Sequence, residues 1–198
     1  MPDATTAAAP PASDELGRSG VDTQLARTAW AQASVRRFAS QTNLLVASSR
    51  VLIVGAGPLA DELAHALSTM GARVAVSGTD AAALYAFARR GLDTHQVGPA
   101  GLLIPAETDL VFATGEEPTP LTPAALGAAD AAAAHPLVIV DAAEPGRPAA
   151  VDLAAFAAHP ALTARDAIRG FALHRDVFVI SVAHLETTAD AHAGEARA

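Results

Sequence analysis

With 198 residues, 51% of them hydrophobic, the chain suits one domain with a sizeable core. A formal net charge of −8 without a basic stripe argues against nucleic acid as a partner, and the absence of cysteine excludes disulfides and thiolate nucleophiles. Because no apolar run approaches the roughly 20 residues that span a bilayer, and no signal-peptide core is present, we expect a cytoplasmic protein without a membrane partner.

The two ends of the chain differ in composition from the middle. Residues 1–20 are rich in Ala, Pro, Ser, Thr and Gly and show no hydrophobic periodicity, and residues 189–198 have a similar composition. Such segments bury too little apolar surface to order themselves, so we predict a disordered arm and a disordered tail. The folded, dinucleotide-binding domain is then expected over residues 21–188.

A long helix is predicted ahead of the first strand, from Asp22 or Thr23 as the N-cap to about Val46. The apolar side chains near one of its faces are Leu25, Val35, Phe38 and Leu45. The elements that follow leave little to cover this face. We therefore expect it to pack on a second copy of the chain, so that the protein is a homodimer with an alanine-rich interface.

A glycine-rich turn follows the first predicted strand. The apolar residues 51–54 stop at Gly55, and Gly57 and Ala60 complete a G-x-G-x-x-A pattern that leads into a helix. This pattern is typical of a dinucleotide-binding turn, in which a pyrophosphate approaches the N–H groups of the helix start. The predicted cofactor contacts in the turn are Gly55, Gly57, Pro58 and Leu59. The alternative is that both glycines serve only the close packing of strand and helix.

Strands and helices alternate through the rest of the chain. Further strands are predicted at residues 73–77, 94–97, 109–115, 137–141 and 177–182, and further helices at about 59–70, 80–90, 123–134 and 151–158. This alternation predicts a Rossmann-like, doubly wound parallel sheet with helices on both faces and a long N-terminal helix. Thr114 and Gly115 then fall at the carboxyl edge of the sheet, where open parallel sheets bind their ligands.

The order of these motifs resembles the NAD-binding domain of the S-adenosylhomocysteine hydrolase family over about residues 25–188. Thr-Asn-Leu-Leu-Val at 42–46 is similar to the family's A-T-N-L-L-I-A-G-K run, and Phe-Ala-Thr-Gly at 112–115 is similar to its F-V-T-T-T-G. The resemblance implies NAD or NADP as the cofactor. Beyond the turn, the residues expected to contact it are Thr79, Asp80, Thr114 and Gly115.

The chain also departs from this family at several positions. It is too short to include the family's catalytic domain, so we do not expect it to hydrolyse S-adenosylhomocysteine alone. Gly78 stands where the family has a glutamate for the adenosine ribose, and Ala142-Ala143-Glu144 stands where it has I-G-H beside the nicotinamide. Because residues 77–79 supply neither an acid for NAD nor an arginine for NADP, the sequence selects neither cofactor.

Three titratable residues are candidates for catalysis. The resemblance places His184, after the last predicted strand, towards the nicotinamide edge, where it would act as a general acid or base. Asp141 and Glu144 follow another central strand and would share that cleft. The alternative is that Asp141 caps a turn, Glu144 is solvated and His184 is a surface residue. The seven histidines show no zinc-binding spacing, so no metal is expected.

These observations leave two classes of function open. In the first, the chain is a reduced relative of the hydrolase family that binds NAD, NADP or another adenine-bearing ligand and performs redox or lyase-type chemistry on a small substrate, with or without a partner enzyme. In the second, it is a non-catalytic binding or scaffold module that has lost the cofactor. A repurposed cleft that catalyses cofactor-independent chemistry is a third alternative.

Overall fold

The computed structural model describes residues 13–42, 44–99, 101–127, 135–164 and 168–182, with side chains from residue 19 onward. The helices are α1 (Ser13–Gln41), α2 (Pro58–Thr69), α3 (Ala81–Ala88) and α4 (Leu153–Phe156), with a 3-10 helix at Pro123–Leu126. The strands are β1 (Arg50–Val54), β2 (Arg73–Gly78), β3 (Asp93–Gln96), β4 (Leu110–Ala113), β5 (Leu137–Asp141), β6 (Ala161–Leu162), β7 (Ile168–Ala172) and β8 (Asp176–Ser181).

The strands form one eight-stranded sheet in the order β3-β2-β1-β4-β5-β8-β7-β6. The strands from β3 to β8 in this order are parallel, which confirms the predicted Rossmann-like, doubly wound fold. The sequence pattern does not predict β6 and β7, which add an antiparallel hairpin beside β8. β6 has only two residues, and β7 carries Arg169 and Gly170 in its middle, so neither shows an apolar run or an alternation.

The long helix α1 packs within its own chain. Its buried residues, Trp30, Ala31, Val35 and Phe38, belong to the same apolar cluster as α2 and one face of the sheet. The ring of Phe38 meets that of Phe112 on β4 edge to face, with the centroids 6.1 Å apart. The chain itself thus covers Val35 and Phe38, whereas Leu25 and Leu45, which were predicted on the same face, are exposed. A homodimer stays a prediction.

Several elements differ in their limits from the predicted ones. α1 begins at Ser13, inside the predicted arm, and ends at Gln41 instead of continuing to about Val46. The helix predicted at 123–134 is a 3-10 helix that ends at Leu126, and residues 128–134 lie outside the described part of the chain. The predicted tail over 189–198 also lies outside it.

The sheet separates two hydrophobic clusters. Helices α1, α2 and α3 cover one face, while loops, the 3-10 helix and α4 cover the other. Parallel pairing aligns Val54 at the end of β1 with Ser77 on β2 and Ala113 on β4, so the loops after these three strands meet at one edge. No helix in the described part of the chain combines the length and the apolar character that a transmembrane segment requires.

Candidate functional site at the carboxyl edge of the sheet

The glycine turn joins β1 to α2 through Gly55, Ala56 and Gly57. Gly55 has a φ of +121°, which L side chains rarely adopt, and a Cβ there would lie 2.0 Å from Thr114 Oγ1. Gly57 has an ordinary extended backbone with a φ of −94°. Pro58 is the first residue of α2 and has no N–H to give to an anion. The turn thus needs Gly55 for its backbone geometry and Gly57 only for the space that a side chain would fill.

The carboxylate of Glu116, which follows β4, occupies the cradle formed by this turn. The N–H of Gly57 donates to Oε2 at 3.0 Å, that of Leu59 to Oε1 at 2.8 Å and that of Ala60 to Oε2 at 3.3 Å. The hydroxyl of Thr114 lies 2.9 Å from Oε2. Convergent N–H groups at a helix N-terminus bind anions, and here the anion is a side chain of the same chain.

The turn fits a pyrophosphate only in part. Its N–H groups are the donors that a phosphate needs, as the pattern at Gly57 and Leu59 predicts. A Cβ on Gly57, however, would lie 2.4 Å from Glu116 Oε1, so the carboxylate fills the space that the glycine leaves open. Because a pyrophosphate and this carboxylate would have to accept the same hydrogens, NAD and NADP do not fit the turn while Glu116 is in it.

The neighbouring Glu117 supplies an acid at the end of β2. Both of its carboxylate oxygens lie 3.2 Å from the backbone nitrogen of Thr79. A Cβ on Gly78 would lie 2.9 Å from Glu117 Oε1, so the glycine makes room for this side chain. An acid is therefore present at this place, contrary to the expectation from Gly78, because it comes from the β4 loop. Gly115, with a φ of +71°, turns the chain into that loop.

Two other acids near the turn have structural partners. Asp80 caps α3, since its Oδ1 accepts the N–H of Ala82 at 2.9 Å. The predicted contact residue Thr79 lies directly before it and gives its own N–H to the β4 loop. Asp61, in the first turn of α2, forms an ion pair with Arg90 at the surface. Neither Asp80 nor Asp61 has its recorded contacts in the cradle.

A cleft of about 230 Å³ opens beside Glu117. Its lining includes Val54, Val97, Leu102, Glu117, Thr119 and Leu121. Pockets for a whole drug-sized ligand hold roughly 300–1,000 Å³, so this cleft has the size for one part of a ligand, such as a ring system. A larger groove of about 690 Å³ lies beside β6 and β7, at the far end of the sheet from the turn.

Asp141 binds the backbone of the loop that follows β5. Its side chain is buried, and its carboxylate accepts the N–H groups of Ala143 and Ala150 at 3.2 Å and of Val151 at 3.3 Å. This is the geometry of the turn-capping alternative, in which the carboxylate faces backbone. A catalytic role for Asp141 stays a prediction.

Glu144 joins the same loop to α1. Its Oε1 lies 3.2 Å from Arg27 Nε, and its Oε2 lies 3.2 Å from Arg147 Nε. One helical turn further along α1, the indole N–H of Trp30 donates to the carbonyl of Ala142 at 2.8 Å. Glu144 is thus paired with two cations, whereas the sequence alternative has it solvated. Glu144 and the carbonyl of Ala142 therefore anchor α1 to the loop after β5.

His184 lies outside the described residues, so its grouping with Asp141 and Glu144 stays a prediction. Within the described ranges, no three His, Asp or Glu side chains come together as a metal site.

Glu116 and Glu117 are not among the residues that the sequence predicts for the site. The available signal was their place, directly after Thr114 and Gly115 at the edge where parallel strands end. Their contacts with the β1 and β2 ends depend on the order of the strands, since β1 pairs with both β2 and β4. Acids in a loop that faces a glycine-rich turn are therefore candidates for its anion.

No family model matches the sequence, and no curated relative is found. Among solved structures, the A chain of dipicolinate synthase from Bacillus subtilis is similar, with a TM-score of 0.52 and 19% identity over 67% of this chain and 42% of that one. A transhydrogenase from Sinorhizobium meliloti has a TM-score of 0.54 and 16% identity over 87% of this chain and 53% of that one. These similarities support the Rossmann-like fold. The chain spans only about half of either protein's length, or less.

Proposed function

We propose that this chain is a binding protein of the NAD(P)-binding Rossmann type, whose ligand carries adenine on an unmodified ribose. The position of Glu117 supports this most strongly. Its carboxylate lies over Gly78 at the end of β2, where an acid of this fold accepts hydrogen bonds from ribose hydroxyls. An ionised carboxylate has about four acceptor sites, and the single N–H of Thr79 leaves capacity for two hydroxyls.

The cleft beside Glu117 is proposed to take the adenine ring. Val54, Leu102 and Leu121 line it with apolar surface, which suits a flat heterocycle. Thr119 and the backbone of the loop offer polar groups for the ring nitrogens. The ribose would then lie between this cleft and the glycine turn.

The charge of Glu117 also bears on the choice between NAD and NADP. A carboxylate at this place attracts a free 2′-hydroxyl and repels a 2′-phosphate. We therefore propose adenosine, S-adenosylhomocysteine and NAD as the ligands to compare, and expect NADP to bind more weakly than each of them.

We propose further that the chain is a reduced relative of the S-adenosylhomocysteine hydrolase family. The order of its motifs, at residues 42–46, 55–60, 70–74 and 112–115, supports this relation. A homodimer, or a partner enzyme that supplies catalytic groups, is part of the same proposal.

The second candidate is a binding module without catalytic activity. The contacts of the acids after β5 favour it. Asp141 is bound by three backbone N–H groups, and Glu144 is paired with Arg27 and Arg147. Groups held in this way are poorly placed to move protons. We therefore favour ligand binding over redox or lyase chemistry by this chain alone.

Isothermal titration with adenosine, S-adenosylhomocysteine, NAD and NADP tests the proposed function. We expect adenosine to bind and Glu117→Gln to weaken it by about tenfold or more, because hydrogen bonds to a charged acceptor are lost. Glu107→Gln is the matched control, since it removes the same charge from an exposed residue before β4, at the opposite edge of the sheet. No heat with any of the four compounds at millimolar concentration would contradict the proposal.

A further inference from the structure

We propose that Glu116 is a specificity-determining residue that takes the place of a ligand's phosphate. The ligand of this site is then an adenine nucleoside without a phosphate on its 5′ side. This inference rests on the proposed function for the adenine part of the ligand. It depends on different contacts, those between Glu116 and the glycine turn.

The N–H groups of the turn already have an acceptor. Gly57, Leu59 and Ala60 give their N–H groups to the Glu116 carboxylate at 2.8 to 3.3 Å. Each N–H has one hydrogen, so a phosphate could gain these donors only by displacing the carboxylate. The displaced side chain would also lose its contact with the Thr114 hydroxyl, which lies 2.9 Å from Oε2. Phosphate binding must therefore offset the loss of an existing set of charge-assisted hydrogen bonds.

The space inside the turn is also filled. Built Cβ atoms would lie 2.4 Å from Glu116 Oε1 at Gly57 and 3.1 Å from Oε2 at Gly55. The carboxylate thus fills the space that the two glycines open, which is the space that the motif normally leaves to a pyrophosphate.

The charges around the cradle also disfavour a phosphate. In the part of the chain that the structure describes, no recorded hydrogen bond or ion pair joins Glu116 or Glu117 to an arginine. A diphosphate in the cradle would add negative charge beside two carboxylates that have backbone and hydroxyl donors as partners. A nucleoside adds no charge, and its ribose hydroxyls donate to a carboxylate. The site therefore favours the ligand without phosphate.

The test uses inorganic pyrophosphate and adenosine as separate probes, on the full chain, by isothermal titration. Glu116→Ala empties the cradle, and Glu116→Gln removes the charge while keeping the size of the side chain. Glu107→Gln controls for net charge. We expect pyrophosphate to bind Glu116→Ala at least about tenfold more tightly than the wild type or the control, with Glu116→Gln between them. Adenosine should bind the wild type at least about tenfold more tightly than NAD. In Glu116→Ala, this difference between the two affinities should be smaller.

The two probes separate the two proposals. Wild-type protein that binds pyrophosphate or NAD as tightly as Glu116→Ala would overturn the role of Glu116, whatever adenosine does. A gain of pyrophosphate binding in Glu116→Ala, with no adenosine binding to any form, would support Glu116 as the phosphate substitute and overturn the proposed function. If circular dichroism shows Glu116→Ala to be unfolded, the same comparison between Glu116→Gln and the wild type decides the question.

Discussion

Two pairs of acids lie at the same edge of the sheet, and they contact different parts of the chain. Asp141 and Glu144, after β5, bind the protein's own loop and α1, and Asp141 is only 4% exposed. Glu116 and Glu117, after β4, are half-buried and cover the backbone N–H groups that a nucleotide would use in this fold. The acids after β4 thus lie at the glycine turn and the end of β2, while the acids after β5 hold structural elements of the chain together.

The largest effect is expected at the turn beneath Glu116. Gly55→Ala should lower the free energy of unfolding by about 3 kcal/mol or more, because its φ of +121° disfavours a side chain and the new Cβ would meet Thr114. Gly57→Ala should cost about 1–2 kcal/mol, since it displaces the Glu116 carboxylate from its hydrogen bonds but adds no backbone strain. Urea denaturation of both variants checks this. Equal losses would show that the two glycines serve packing alike.

Asp141→Ala should destabilise the protein by about 3 kcal/mol, because three buried backbone N–H groups lose their acceptor. Asp93→Ala, at an exposed position at the start of β3, is the control and should change stability by under about 0.5 kcal/mol. Adenosine affinity, measured where Asp141→Ala is still folded, should stay within about twofold of the wild type. A large loss of affinity at full folding would place Asp141 in the ligand site.

Glu116→Ala should cost about 1–2 kcal/mol in the absence of ligand, as for the loss of a helix N-cap. Pyrophosphate should then raise the melting temperature of this variant and leave that of the wild type unchanged, because a ligand stabilises only the form that binds it. Differential scanning calorimetry with and without pyrophosphate gives both values. An equal rise in the two proteins would mean that the Glu116 carboxylate does not compete for the cradle.

The smallest effect is expected at the two arginines that pair with Glu144. Arg27→Ala should cost about 1 kcal/mol, because its side chain is 16% exposed and links α1 to the β5 loop. Arg147→Ala should cost under about 0.5 kcal/mol, since it is 50% exposed and lies three residues from Glu144. Thermal unfolding of the two variants measures both losses of stability. A larger loss for Arg27→Ala would show that its ion pair anchors α1, while that of Arg147 is a surface pair. The reverse order would contradict the assigned role of Glu144.

The fold could be predicted from the sequence because its signals are local. The apolar run before Gly55 and the stripe of leucines on α2 identify the first βαβ unit without any long-range contact. The hairpin of β6 and β7 could not be predicted, because the two-residue β6 is a strand only through its pairing with β7, and the Arg169-Gly170 sequence of β7 is a strand only through its pairing with β8.

The position of the site could be predicted from the sequence, but the side chains that occupy it could not. The glycine pattern identified the cradle, and Thr114 identified the facing loop. That Glu116 fills the cradle depends on how β1 and β4 pair across 59 residues of sequence. Similarly, the acid beside Gly78 could not be predicted from residues 77–79, because Glu117 comes from the loop after β4.

We predict that the Glu116 carboxylate keeps the N–H groups of Gly57, Leu59 and Ala60 in solution and excludes a phosphate from them. Two-dimensional 15N NMR of the wild-type chain tests it most directly, with adenosine and inorganic pyrophosphate titrated separately. We predict that adenosine shifts the amide signals of Gly78 and Thr79, and that pyrophosphate leaves those of the cradle where they are. Saturable shifts of the three cradle amides with pyrophosphate in the wild type would contradict the claim.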